Sequence, residues 1–166
     1  MRESGTSCRI RSPSAASQRA DIWPLSGAVL DIPGETAQQR PNAVILGYPV
    51  VTAGEFAHRG SFVRLAGSED AAAQQVFTLE DQVNSDTPPV FVWHTMEDKT
   101  VPVENTLLLL AALRRAGVPC EAHLFEKGAH GTSISTAEVD AADPHRAHWV
   151  ALCLEWLGET FGFKLS

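Results

Sequence analysis

Cysteine is scarce and poorly spaced for cross-linking. The chain has three, Cys8, Cys120 and Cys153, with no C-x-x-C spacing, and an odd number cannot all pair within one chain. Neither a disulfide scaffold nor a cysteine zinc site is suggested, and reduced thiols with a cytoplasmic location are the expectation. Long apolar runs are absent too: nothing approaches the roughly 20 consecutive apolar residues of a membrane-spanning helix, so a soluble chain with no membrane partner is expected. Positive charge is short, with 13 Lys and Arg against 20 Asp and Glu and a formal net charge of −7. No basic field exists to hold a nucleic acid backbone or an anionic bilayer, and a small neutral ligand suits the chain better. No internal repeat is visible.

What is present is ordinary globular material, 44% hydrophobic and 20% charged over 166 residues, enough chain for one domain. Residues 1–40 differ from the rest. Five serines and four arginines fall in the first 20 positions with Glu3 as the only acid, and neither the helical nor the strand period can be read there, so this segment is expected to be irregular. From Pro41 to the end the texture alternates. The run "NAVILGYPVV" (42–51) has the branched, apolar look of a strand buried on both faces, and "PPVFVWH" (88–94) repeats it. Between them 52–87 is polar and reads as an insertion over the sheet, with short helices capped by Ser68 and Thr78. Pro102 stands where a helix over Val103–Ala116 would open, and Gly117 and Pro119 stop it. "CEAHLFEKG" (120–128) reads as a third strand nearer an edge. Asp143 and Pro144 start a last helix whose buried stripe is Trp149, Val150, Cys153, Trp156 and Leu157. This order implies an α/β fold with a mostly parallel sheet and flanking helices. Three strands leave such a sheet short on its N-terminal side, so the first strand, 42–47, should expose an edge through which the chain self-associates.

In an open α/β sheet reactive groups sit just beyond the carboxyl ends of strands. Asp98 follows the second strand and His130 follows the third, in "FEKGAHG", where Gly128 and Gly131 allow a tight turn. An aspartate that orients a histidine able to take and return a proton is the back half of a nucleophilic triad. Alternatives stand beside that reading. Glu97 is a second possible acid, and His94 either lines the pocket or serves structurally at the rim. His58 and Arg59 either touch substrate or are plain surface charge. His145 and His148, three apart on a helix, lack an evident third metal ligand and read as a solvated face. Trp93, Trp149 and Trp156 read as core. Ser133 follows the histidine in the wrong order for a nucleophile, and Cys8 has no flanking glycines.

The segments "DKTVP" (98–102), "VENTLLLLAALRRAGVP", "CEAHLFEKGAHG" and "HWVALCLEWL", with "ILGYPVVTAGEFAHRGSF" before them, together resemble the C-terminal half of an α/β-hydrolase over Pro41–Phe161. The resemblance is to the esterase and acetyl-esterase-like set related to the prolyl oligopeptidase catalytic domain. It implies that Asp98 is the triad acid and His130 the base, that no cofactor or metal is needed, and that the substrate is a small ester. Short acyl or acetyl esters, including those of sugars, are the implied class. The family's order is Ser, Asp, His, with the serine in a G-x-S-x-G turn. No serine here has glycine both two before and two after it. Ser14, in "SPSAAS", falls nearest the nucleophile's place, but Ser12 and Ala16 replace the two glycines and Pro13 removes an amide. The chain is therefore expected to be an ester hydrolase with weak or no activity as written. The alternative is a non-catalytic remnant or truncated chain serving as a binding or assembly module.

Overall fold

The computed structural model describes residues 41–138 and 142–163. Three parallel strands, β1 (Val44–Gly47), β2 (Val90–Thr95) and β3 (Cys120–Phe125), lie in the order β1-β2-β3. Val44 pairs with Val90, and Val90 in turn with Cys120. All six residues of β2 are buried, because its odd and even side chains meet different apolar layers. β3 buries only Phe125 and lies at one end of the sheet, as its alternation suggested. β1 is shorter than the apolar run 42–51: Tyr48 turns to φ 40°, and the ladder closes where its amide donates to the Trp93 carbonyl at 2.8 Å. Pro49, with no amide, cannot extend it.

The helices are α1 (Arg59–Ala66), α2 (Ala71–Gln75), α3 (Glu104–Ala116), α4 (Pro144–Ala147) and α5 (Trp149–Phe161). α1 went unread in the sequence. Asp70 caps α2 by accepting from the Ala72 amide, whereas Ser68 accepts from Asp70 itself. Thr78 precedes a single 3₁₀ turn, Leu79–Asp81, and makes no side-chain cap bond. Both expected caps are thus corrected. α3 starts two residues after Pro102, whose carbonyl accepts from the Asn105 amide at 3.0 Å, and it ends on Gly117 at φ 72°. Asp143 accepts from the amides of His145 and Arg146, with Pro144 in the first turn as expected. The last helix is interrupted at His148, and Val150 is only half-buried, outside the Cys153, Trp156, Leu157 stripe.

Two apolar layers cover the sheet. Val44, Leu46, Val90 and Val92 pack with Leu109 and Leu113 of α3 and with Phe62 and Leu79 of the 52–87 segment. On the opposite face Phe91, Trp93 and Phe125 pack with Cys153, Trp156 and Leu157 of α5. The even–odd split follows from the period of two in a strand. Asn105, wholly buried, ties the first layer to the loop after β1: its Oδ1 accepts from the Val51 and Thr52 amides, and its Nδ2 donates to the Phe56 and Pro102 carbonyls, all within 2.9–3.0 Å.

Candidate active site

Asp98 lies just past the carboxyl end of β2, and a turn back to Thr95 aims its side chain inward. Its carboxylate has no solvent exposure. Oδ1 accepts from the Thr100 and Val101 amides, both at 2.9 Å. Oδ2 accepts from His130 Nδ1 at 2.7 Å and from His94 Nε2 at 3.2 Å. Burial alone would push this carboxyl up, but the hydrogen bonds from His130, His94 and Val101, with the attraction of the His130 ring, more than reverse it and hold Asp98 well below the usual carboxylate range. The fixed hydrogen at His130 Nδ1 makes Nε2 the basic nitrogen of that ring. The side chain is 19% exposed, so an imidazole held by a buried anion stands at the rim of the sheet.

The loop that carries His130 is pinned at several points. Thr95 Oγ1 donates to the Gly128 carbonyl at 2.8 Å. Arg146, a buried residue of α4, donates from Nε to Ser135 Oγ at 2.7 Å and from Nη1 to the Lys127 carbonyl at 3.3 Å and Asp143 Oδ2 at 3.1 Å. Gly128 sits at φ 139°, and a Cβ there would lie 2.5 Å from Arg146 Nη1 and 3.0 Å from Thr95 Cγ2, so glycine is required by both conformation and space. Ser133, at φ 48°, donates its amide to Tyr48 Oη at 3.3 Å and accepts at its carbonyl from Trp149 Nε1 at 3.0 Å. The Tyr48 ring packs edge-on against both His130, at 4.7 Å between centroids, and Trp93, at 5.0 Å. A bulky residue at positive φ is strained, and strain of this kind gathers at functional sites.

The remaining sequence candidates separate clearly. Glu97 is exposed, and its Oε2 accepts from the Gly128 amide at 3.4 Å, so it braces the loop and does not meet the imidazole. His94 has no solvent exposure and lies behind Asp98, the structural one of its two alternatives. Arg59 donates to the Ala53 and Gly54 carbonyls, and His58 bonds Ser61 Oγ at 2.8 Å; both shape the loop after β1, a role neither alternative foresaw. His145 lays its ring edge-on to Phe125, while His148 is exposed where α4 meets α5. Trp93 and Trp156 are core, and half-buried Trp149 stacks on Trp93 at 5.1 Å. Ser133 serves through its backbone. Cys120 and Cys153 are unpaired, and burial followed by the charge of Glu121 pushes the Cys153 thiol up to about 11. Ser14, Cys8 and all of 1–40 lie outside the described residues. Among the described residues no helix is long and apolar enough to cross a membrane. Tyr48, Asn105, Thr106 and Arg146 were missed; the one available signal was the Tyr-Pro step closing an apolar run.

A model of the prolyl oligopeptidase family matches residues 52–163. The chain is 42% identical over 100 residues to an endo-1,4-beta-xylanase B of Butyrivibrio fibrisolvens, a match covering 60% of this chain and 16% of that protein. It is 32% identical over 103 residues to an acetylxylan esterase of Xylanibacter ruminicola, covering 58% of this chain and 22% of that one. Among solved structures, an acetyl ester-xyloside bifunctional hydrolase from Caldicellulosiruptor lactoaceticus aligns with a TM-score of 0.70 at 36% identity, over 84% of this chain and 52% of its own. The chain thus spans about half the length of that solved hydrolase and less than a quarter of the two sequence relatives. The layers described above are the C-terminal portion of an α/β-hydrolase fold.

Proposed function

We propose, on the premise that this chain belongs to the prolyl oligopeptidase family, that Asp98 and His130 are the acid and base of a serine-type carboxylic ester hydrolase. Short acyl esters are the substrate class, with acetylated sugars favoured by the names of the relatives. One observation carries the reading: the 2.7 Å bond between a fully buried carboxylate and an imidazole at the sheet rim, contributed by residues 32 apart in sequence. In this chemistry His130 Nε2 takes the proton of a serine hydroxyl as its oxygen attacks the ester carbonyl. Asp98 keeps the hydrogen at Nδ1 and offsets the imidazolium charge. The proton then passes to the departing alcohol, and water repeats the sequence to release the carboxylic acid.

A second reading, a non-catalytic binding or assembly module, is favoured by one fact: no serine in the chain sits in G-x-S-x-G. Members of a triad act as a unit, so acid and base without a well-placed nucleophile lose nearly all of its acceleration. Hydrolysis of a fluorogenic acetate ester by the purified chain decides. Slow turnover is expected, falling to the buffer rate in His130→Ala and in Asp98→Asn. Turnover indifferent to His130→Ala overturns the first reading, and none in the wild type favours the second. Turnover that survives Ser14→Ala but dies with His130→Ala places the nucleophile elsewhere.

A further inference from the structure

Behind Asp98 lies a second imidazole that the acid–base reading does not use. His94, in the fifth position of β2, has no solvent exposure. Its Nε2 is 3.2 Å from Asp98 Oδ2 and 3.0 Å from the Val101 carbonyl oxygen, while Nδ1 is 2.7 Å from Thr106 Oγ1 on α3. A carbonyl oxygen can only accept, and so can a carboxylate, so the ring hydrogen must sit at Nε2. In the neutral ring Nδ1 then accepts from the Thr106 hydroxyl. Two imidazoles therefore donate to one carboxylate oxygen, one facing the rim and one buried behind it.

We infer that His94 is a positioning residue for Asp98: its Nε2–H occupies one lone pair of Oδ2 and leaves the other directed at His130. The inference rests on Asp98 and His130 being the acid and base. With two amides on Oδ1 and two imidazoles on Oδ2, the roughly four acceptor sites of a carboxylate are all filled. Rotation about the bond to the carboxyl carbon would then break four bonds together. The same Nε2–H ties Val101, whose amide holds Oδ1, so the 98–101 turn is closed from both sides. Thr106 fixes the ring from α3, which couples helix, turn and strand end at one buried point.

The test reads the hydrogen at His130 Nδ1 by NMR and needs no turnover, so its outcome is separate from that of the ester assay. In the unmodified protein the ring nitrogens of His94 should show the Nε2–H tautomer; the opposite tautomer overturns the inference without any variant. Gln places its amide nitrogen near the position of Nε2, and Asn near that of Nδ1. His94→Gln should keep the solvent protection of the His130 Nδ1 hydrogen, whereas His94→Asn should lower it by about tenfold or more, the factor that goes with losing one hydrogen bond to a charged group. Equal loss in both variants would mean that only the bulk of the ring matters, and no loss in either that the amides of Thr100 and Val101 suffice; each sinks the inference. Thr106→Val, which leaves Asp98 untouched, should cause a smaller loss in the same direction, and an unchanged signal there counts against the ring being fixed from α3.

Discussion

Asp98 carries a charge into the interior, and its consequences should be visible in how stability depends on pH. In the unfolded chain this carboxyl titrates near the ordinary value of about 4; in the fold the hydrogen bonds from His130, His94 and Val101 hold it lower despite burial. Between the two values the unfolded state binds more protons, so stability falls as pH falls. The contribution is complete at neutral pH and is lost on acidification through the carboxylate range. Asp98→Asn should therefore cost about 3 kcal/mol at neutral pH, as removing the charge of a buried pair does. The gap from wild type should shrink as the buffer is made acidic, because a protonated aspartate resembles asparagine. Urea midpoints of both proteins across that range check it, and a gap that widened on acidification would refute the assignment. At this scale the meeting of Asp98 and His130 was readable because each falls in the loop beyond the carboxyl end of a strand, where an α/β sheet puts its reactive groups. The place of His94 was not, since its role depends on what residues 101 and 106 bring to it from outside the strand.

The elements came through the sequence in proportion to how much of their stability is local. β2 was read almost to the residue because an apolar run bounded by prolines has few other uses. α3 likewise carries its own stop at Gly117. The run 42–51 overdraws β1 at both ends: the Tyr-Pro step in "GYPVV" marks a stop, but nothing there announces that Tyr48 turns to positive φ to meet His130, a contact made by residues 82 positions apart. α1 was invisible because its N-terminus has no side-chain cap, only His58 bonding Ser61. Asn105 shows the same limit, for it reads as one more polar position in a helix yet fixes the loop after β1. Asn105→Ala would strand the Val51 and Thr52 amides and the Phe56 carbonyl, while the Pro102 carbonyl keeps the backbone amide of residue 105, and should cost about 3 kcal/mol. Asn105→Asp is the sharper test. It keeps the acceptor but sets a carboxylate oxygen against the Phe56 and Pro102 carbonyls, so it should be no more stable than alanine at neutral pH. An aspartate variant with the wild-type urea midpoint would mean that the clamp contributes nothing.

For the whole molecule the unfinished business is the outer side of β1. The sheet ends there among the described residues, and the hydrogen-bond parity says which groups face away. Val44 and Tyr48 donate to Pro89 and Trp93 of the β2 side, so in a strand of period two the amides of Ile45 and Gly47 point outward. A row of outward amides and carbonyls beside apolar side chains is a template for another strand. The isolated chain should accordingly self-associate, with a sedimentation coefficient that rises with concentration. Ile45→Pro removes one outward amide while leaving the ladder to β2 intact, and should lower the association constant by about fivefold, in line with the roughly 1 kcal/mol of a hydrogen bond. Leu46→Pro, which instead cuts an amide aimed at β2, should destabilise the fold itself and separates the two effects. A chain that sediments as a monomer at every concentration, with or without the proline at 45, would show that this edge is already satisfied within a single molecule.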